Sequence, residues 1–182
     1  MRKNSRFFLI LAALALLLGG GYFLYDTLSQ PPDLAPPRLE NAAVDTPDFE
    51  ATDMDGNPVQ LSYFFGTPTI LYFWTSWCRF CTMGMVELQL LAAEHGDDVQ
   101  IIAVNLPHLG TMRGEEAAGR AFMAENGLTF PALFDTQAEA QRAYDVTAVP
   151  MTVYLNSDGS IARRHLGFQT LEEKNEMVRG LQ

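Results

Sequence analysis

The chain opens with a long apolar run that changes abruptly to a polar stretch. Phe7–Tyr25 holds no charged side chain, and about 19 residues at about 1.5 Å each nearly span the ~30 Å hydrocarbon layer of a membrane. Three basic residues precede the run, Arg2, Lys3 and Arg6, and acidic residues follow it. This asymmetry predicts an N-terminus in the cytoplasm and the remainder of the chain outside.

A cleaved signal peptide is the alternative interpretation, since a basic start and a Leu/Ala core also fit one, and three glycines at 19–21 are able to break the helix. We favour an uncleaved anchor over residues 1–25, because no clear small-x-small site follows and residues 22–25 resemble an interfacial aromatic cluster. The expected location is the inner or cytoplasmic membrane, crossed once, with the C-terminal domain in the periplasm or extracytoplasmic space.

Residues 26–45 are polar and rich in proline, without helical or strand periodicity. Such a composition predicts a semi-extended linker. The remaining residues, 46–182, have the usual length of one domain with a core of its own.

Strand and helix patterns alternate through this domain. Residues 69–74 are a continuous β-branched and aromatic run, which is typical of a strand buried on both faces. An amphipathic helix that ends before Gly96 is predicted next, followed by a second strand at 99–104. Together these three elements form a βαβ unit. The order predicts an α/β domain in which helices flank both faces of a mixed sheet. The other predicted elements are hairpin strands at 49–53 and 58–61, a helix at 115–126, a strand at 130–134, a helix at 136–144, hairpin strands at 150–155 and 160–165, and a helix at 171–181.

Charge and cysteine count exclude several classes of protein. The three bases before the apolar run leave 9 of the 12 Lys and Arg against 22 acidic residues, a balance that repels phosphate backbones, so no nucleic-acid partner is expected. Two cysteines are too few for a disulfide-stapled scaffold or for a closed zinc site. Their spacing indicates redox chemistry.

The candidate chemistry lies at Cys78 and Cys81, just after a buried strand and at the predicted start of a helix. Unpaired amides at a helix start favour a thiolate, which makes Cys78 the candidate nucleophile, and Cys81 one turn later is placed to resolve a mixed disulfide. Arg79 adds a nearby cation, and Phe80 offers uncharged contact surface. Two inert buried cysteines are the alternative.

Two segments carry a family resemblance. Residues 72–81, YFWTSWCRFC, resemble the FWAxWCxxC active-site segment of the thioredoxin superfamily, and residues 146–155 resemble its cis-proline segment. The added N-terminal hairpin, the helix–strand insertion between Pro107 and Asp135 and the N-terminal anchor resemble the TlpA/ResA-like branch of membrane-tethered thiol-disulfide oxidoreductases. The expected fold is therefore thioredoxin-like.

The resemblance implies that Pro150 is cis and lies against the cysteine pair, and that the backbone of Val149 pairs with a substrate strand. Trp74 and Trp77 take the positions of the two tryptophans beside the site, although core packing explains Trp74 equally well. The residues expected to contact substrate are Trp77, Arg79, Phe80, Val149 and Pro150.

The chain also departs from the family pattern. Tyr72 stands where thioredoxins carry a buried Asp, and Gly84 stands where ResA-like reductases carry Glu. Phe80 replaces the common proline before the second cysteine. Glu87 is the nearest acid along the helix, but a solvated helix face explains it better than a role as a base.

The expected function is reduction of disulfides in secreted proteins or apocytochrome c. It requires a membrane electron donor of the thiol-disulfide relay type and no cofactor beyond the Cys78–Cys81 disulfide. One alternative is a copper chaperone or redox-sensing module built on the two thiols, with Met83 nearby. A peroxiredoxin-like peroxidase is another, but Leu71 stands where that site needs proline. The scattered histidines suggest no metal site.

Overall fold

The computed structural model describes residues 46–182. The predicted anchor over residues 1–25 and the linker over residues 26–45 lie outside the described residues and stay predictions. Among residues 46–182, no helix combines the length and apolar character that crossing a bilayer requires.

Seven strands form one mixed sheet in the order β2-β1-β5-β4-β3-β6-β7. The central pairs β3–β4 and β4–β5 are parallel, and all other neighbouring pairs are antiparallel. The strands are β1 (Glu50–Thr52), β2 (Pro58–Gln60), β3 (Thr69–Trp74), β4 (Gln100–Asn105), β5 (Ala132–Phe134), β6 (Met151–Leu155) and β7 (Ile161–Leu166). The predicted mixed sheet and both predicted hairpins are confirmed.

Within residues 46–182, four α-helices connect and flank the strands: α1 (Arg79–His95), α2 (Glu115–Glu125), α3 (Glu139–Ala143) and α4 (Leu171–Val178). Short 3₁₀ turns occupy Leu61–Phe64 and Gly96–Asp98. Thr170 begins α4 with a capping box, in which its hydroxyl accepts from the Glu173 amide and the Glu173 carboxylate accepts from the Thr170 amide.

Strand β3 is buried along its whole length and divides the core in two. Its even-numbered side chains pack with α1, α2 and α4, whereas Leu71 and Phe73 pack with α3 and with residues of the N-terminal hairpin. Alternate residues of a strand point to opposite faces, so a largely apolar run without charged residues is what a central strand covered on both faces requires. Helices on both faces of the sheet are therefore confirmed.

The prediction of a helix over residues 136–144 was wrong at its start, since α3 begins at Glu139. The residues before it, Asp135–Ala138, form a turn instead. The Ala138 amide donates to the Asp135 carbonyl at 3.2 Å, and Ala138 has a φ of 56°. The Asp135 carboxylate accepts from the Gln141 amide at 2.7 Å. A left-handed residue interrupts helical geometry, so the helix starts only after it.

Candidate active site

Cys78 is the N-cap of α1, directly beyond the loop that follows β3. Its Sγ accepts from the Cys81 amide at 3.2 Å, and Cys78 and Cys81 are joined as a disulfide with Cα atoms 5.2 Å apart. Cys78 is partly exposed, whereas Cys81 is completely buried. The Cys81 amide, which also donates to the Cys78 carbonyl at 3.0 Å, and the positive end of the helix dipole both favour negative charge on the Cys78 sulfur.

The peptide bond between Val149 and Pro150 is cis, as expected. The carbonyl oxygen of Val149 lies 3.7 Å from Cys78 Sγ, which brings this segment of the chain against the disulfide although 71 residues separate the two in sequence. Pro150 is buried, and its carbonyl accepts from the Gly167 amide at 2.8 Å. The expected approach of the cis-proline segment to the cysteine pair is therefore confirmed.

Exposed apolar side chains stand on both sides of Cys78 in the chain. Trp77 and Phe80 are 45% and 60% exposed, and Arg79 between them in the chain is exposed as well. Beyond Phe80, the exposed face of α1 continues with Met83, Val86 and Leu90. Exposed apolar side chains clustered in this way are typical of a surface that contacts other molecules.

Tyr72 and Gly84, the two departures from the family pattern, lie in contact. A Cβ atom at Gly84 would stand 2.1 Å from the Tyr72 hydroxyl oxygen and 2.9 Å from Cζ of the same ring. The hydroxyl donates to the carbonyl of Cys81 at 3.1 Å. Burial raises the pKa of the Tyr72 phenol well above its ordinary value, so it is a permanent donor at neutral pH.

A buried carboxylate that the sequence analysis did not single out lies behind this loop. Glu115, the first residue of α2, accepts from the Ser76 amide at 2.5 Å, from the Ser76 hydroxyl at 2.7 Å and from the Asn105 side-chain amide at 2.8 Å. Two successive glutamates at a helix start are a common sequence pattern. Nothing in that pattern indicates that Glu115 is buried while Glu116 is only half-buried.

The remaining candidates are apart from the disulfide or part of the core. Trp74 is buried and packs on Phe122, with ring centroids 5.4 Å apart, which agrees with the packing interpretation. His95 and His108 contact Asn175 and the Thr136 carbonyl, respectively. Over residues 46–182, no group of three or more His, Cys, Asp or Glu side chains is arranged to hold a metal ion.

Comparisons with known proteins agree with this geometry. The model of the AhpC/TSA family matches residues 43–164. Thiol-disulfide oxidoreductase ResA of Halalkalibacterium halodurans is 29% identical over 98% of both chains, and the ResA protein of Geobacillus kaustophilus is 31% identical over 95% of this chain and 94% of its own. The crystal structure of StoA from Bacillus subtilis superimposes with a TM-score of 0.61 at 29% identity, covering 72% of this chain and 97% of StoA.

Proposed function

The chain belongs to the AhpC/TSA family and is a thiol-disulfide oxidoreductase with a thioredoxin-like fold, and from that premise we propose that it reduces protein disulfides outside the cytoplasm. The observation that carries the proposal is the partly exposed Cys78 sulfur at the start of α1, with Val149 on one side and the buried Cys81 one helical turn away.

In the proposed reaction, the Cys78 thiolate attacks one sulfur of a substrate disulfide. A mixed disulfide forms, and the other substrate sulfur leaves as a thiolate. The Cys81 thiolate then attacks Cys78 Sγ, which releases the second substrate thiolate and closes the Cys78–Cys81 disulfide. Two electrons pass to the substrate. A dithiol donor must reduce the enzyme again, and we assign this role to a membrane thiol-disulfide relay protein.

The assignment of roles is supported by exposure and electrostatics. A substrate sulfur is able to reach Cys78, which is partly exposed, but not Cys81, which is completely buried. The Cys81 amide, 3.2 Å from Cys78 Sγ, stabilises a thiolate there. Trp77, Arg79 and Phe80 at the surface and the Val149 backbone are proposed to hold the polypeptide that carries the disulfide.

The extracytoplasmic site of action is supported by the apolar run and charge asymmetry of residues 1–25. Disulfides persist in secreted proteins, whereas cytoplasmic thiols are kept reduced. Secreted-protein disulfides, including that of apocytochrome c, are therefore the proposed substrates.

The reduction potential of the Cys78–Cys81 pair tests the direction of electron flow. We expect a value near the roughly −270 mV of thioredoxin, measured by equilibration with glutathione or dithiothreitol buffers. A value near the roughly −120 mV of a strong oxidant would show that the protein donates disulfides instead. Cys81→Ala, which cannot close the intramolecular bridge, should accumulate the mixed disulfide, and Cys78→Ala should not. If no intramolecular disulfide forms at any buffer potential, the protein is neither a disulfide reductase nor a disulfide donor, and Cu(I) binding becomes the function to test.

A further inference from the structure

Glu115 is buried, and no Lys, Arg or His of residues 46–182 forms an ion pair with its carboxylate. Glu115 is 3% exposed, and its carboxylate accepts three hydrogen bonds, two from Ser76 and one from Asn105. Among residues 46–182, the one ion pair within 4 Å joins Arg120 to the neighbouring Glu116, whose side chain is 43% exposed. Burying a carboxylate without a counter-ion is costly, so its retention at a core position calls for a reason.

The packing around Glu115 holds α2 close to the end of β4. Gly119, one turn after Glu115, lies where a Cβ atom would be 2.8 Å from the Asn105 side-chain nitrogen. A side chain at this position would push α2 away from Asn105. The contact therefore keeps the carboxylate next to the loop between β3 and α1.

The same carboxylate acts on the turn that presents Cys78. That turn is closed by the Cys78 amide, which donates to the Thr75 carbonyl at 3.3 Å, and Ser76 within it donates twice to Glu115. Because Ser76 precedes Cys78 by only two residues, which span at most about 7 Å, the carboxylate bonded to Ser76 lies within roughly 13 Å of the Cys78 sulfur. A negative charge at such a distance disfavours a second one.

We propose that Glu115 is a positioning residue that fixes the turn before Cys78, and that its charge makes the Cys78 thiolate harder to form. The inference rests on the proposed role of Cys78 as the nucleophile. The Cys81 amide favours the thiolate and so does Arg79, the cation next to Cys78 in the chain, whereas Glu115 opposes it from α2. A less stable thiolate makes the dithiol a stronger reductant.

The test compares Glu115→Gln with Glu125→Gln, which removes one negative charge from an exposed position at the other end of α2. The acid dissociation constant of Cys78 is measured by thiolate absorbance in a Cys81→Ala background. The dithiol–disulfide equilibrium with glutathione is measured separately, in variants that keep both cysteines. For Glu115→Gln we expect the dissociation constant to rise about three- to tenfold and the equilibrium to shift toward the dithiol. Glu125→Gln should change neither quantity measurably.

Equal values for Glu115→Gln and the unmodified protein would overturn the proposal, and so would equal shifts in both variants. Ser76→Ala is the second variant, needed if Glu115→Gln does not fold. It removes one hydrogen-bond donor but keeps the charge, so we expect the Cys78 dissociation constant to fall about twofold. A rise or no change would contradict the role of Glu115. The dithiol–disulfide equilibrium of the unmodified protein tests separately whether the protein is a reductase. Failure of that proposal is therefore distinguishable from failure of the proposal for Glu115.

Discussion

Replacement of Gly84 by alanine tests whether Tyr72 and Gly84 fit one another as the structure indicates. The new Cβ would stand 2.1 Å from the hydroxyl oxygen of Tyr72, which is 1% exposed and cannot swing into solvent. Overpacking a tight core costs about 1–3 kcal/mol, and the better helix propensity of alanine returns about 1 kcal/mol. From the severity of the clash, we expect Gly84→Ala to lower the free energy of unfolding by about 2 kcal/mol.

A double-mutant cycle identifies the cause of that loss. Tyr72→Phe removes the clashing oxygen together with its hydrogen bond to Cys81, and alone it should cost about 1 kcal/mol. In the Tyr72→Phe background, Gly84→Ala should cost about 1 kcal/mol less than in the unmodified protein. The free energies are measured by urea unfolding of the oxidised protein, followed by tryptophan fluorescence.

Gly180→Ala is the matched control, because the nearest atom to its new Cβ is 3.6 Å away, an ordinary contact. It should leave stability almost unchanged. A Gly84→Ala variant as stable as the unmodified protein would refute the reasoning. Strict additivity of the two substitutions would also refute it, since the cost would then not come from Tyr72.

Two further predictions concern Lys174 and Phe80. Burial lowers the pKa of Lys174 to about 8, so between about pH 8 and 10.5 the unfolded chain binds more protons than the folded one, and stability rises with pH. Denaturant titrations should show a gain of about 2 kcal/mol from pH 7 to pH 9.5 that Lys174→Met abolishes; a gain retained in the variant would contradict this. Above pH 10 the buried tyrosines, whose pKa values are raised by burial, act in the opposite direction. Phe80→Ser should lower kcat/KM severalfold for a protein disulfide but not for a small aromatic disulfide, with Met54→Ser, at 40% exposure in the turn between β1 and β2, as the control outside this surface. An equal loss on both substrates would exclude a contact role.

The fold was predictable where local sequence and burial agree. Residues 69–74 form β3 with the predicted bounds, because a short continuous run of β-branched and aromatic residues is typical of a strand covered on both faces. The helix following the cysteines and both hairpins were predictable for similar local reasons. The start of α3 was not, since the turn at Asp135–Ala138 depends on a left-handed alanine, a conformation that alanine rarely signals in sequence.

The candidate site was predictable in its cysteines and in the cis bond at Pro150, because both belong to contiguous motifs of the family that the chain resembles. Glu115 was not predictable, since only the packing of α2 against Asn105 distinguishes it from Glu116. A property that arises from contacts distant in sequence leaves no mark in the local pattern.

The two departures from the family pattern are better understood together than separately. Taken alone, Tyr72 and Gly84 each replace a carboxylic acid and suggest two independent losses. In the structure, the Tyr72 hydroxyl occupies the space that a side chain at position 84 would need. The large side chain at position 72 therefore requires the glycine at position 84, and the two departures depend on one another. Over residues 46–182 the fully buried acids are Glu115 and Asp135, and Glu115 is the one that bonds to the turn before Cys78. The buried carboxylate expected to act on the Cys78 thiolate therefore lies on α2, and neither on β3 nor on α1.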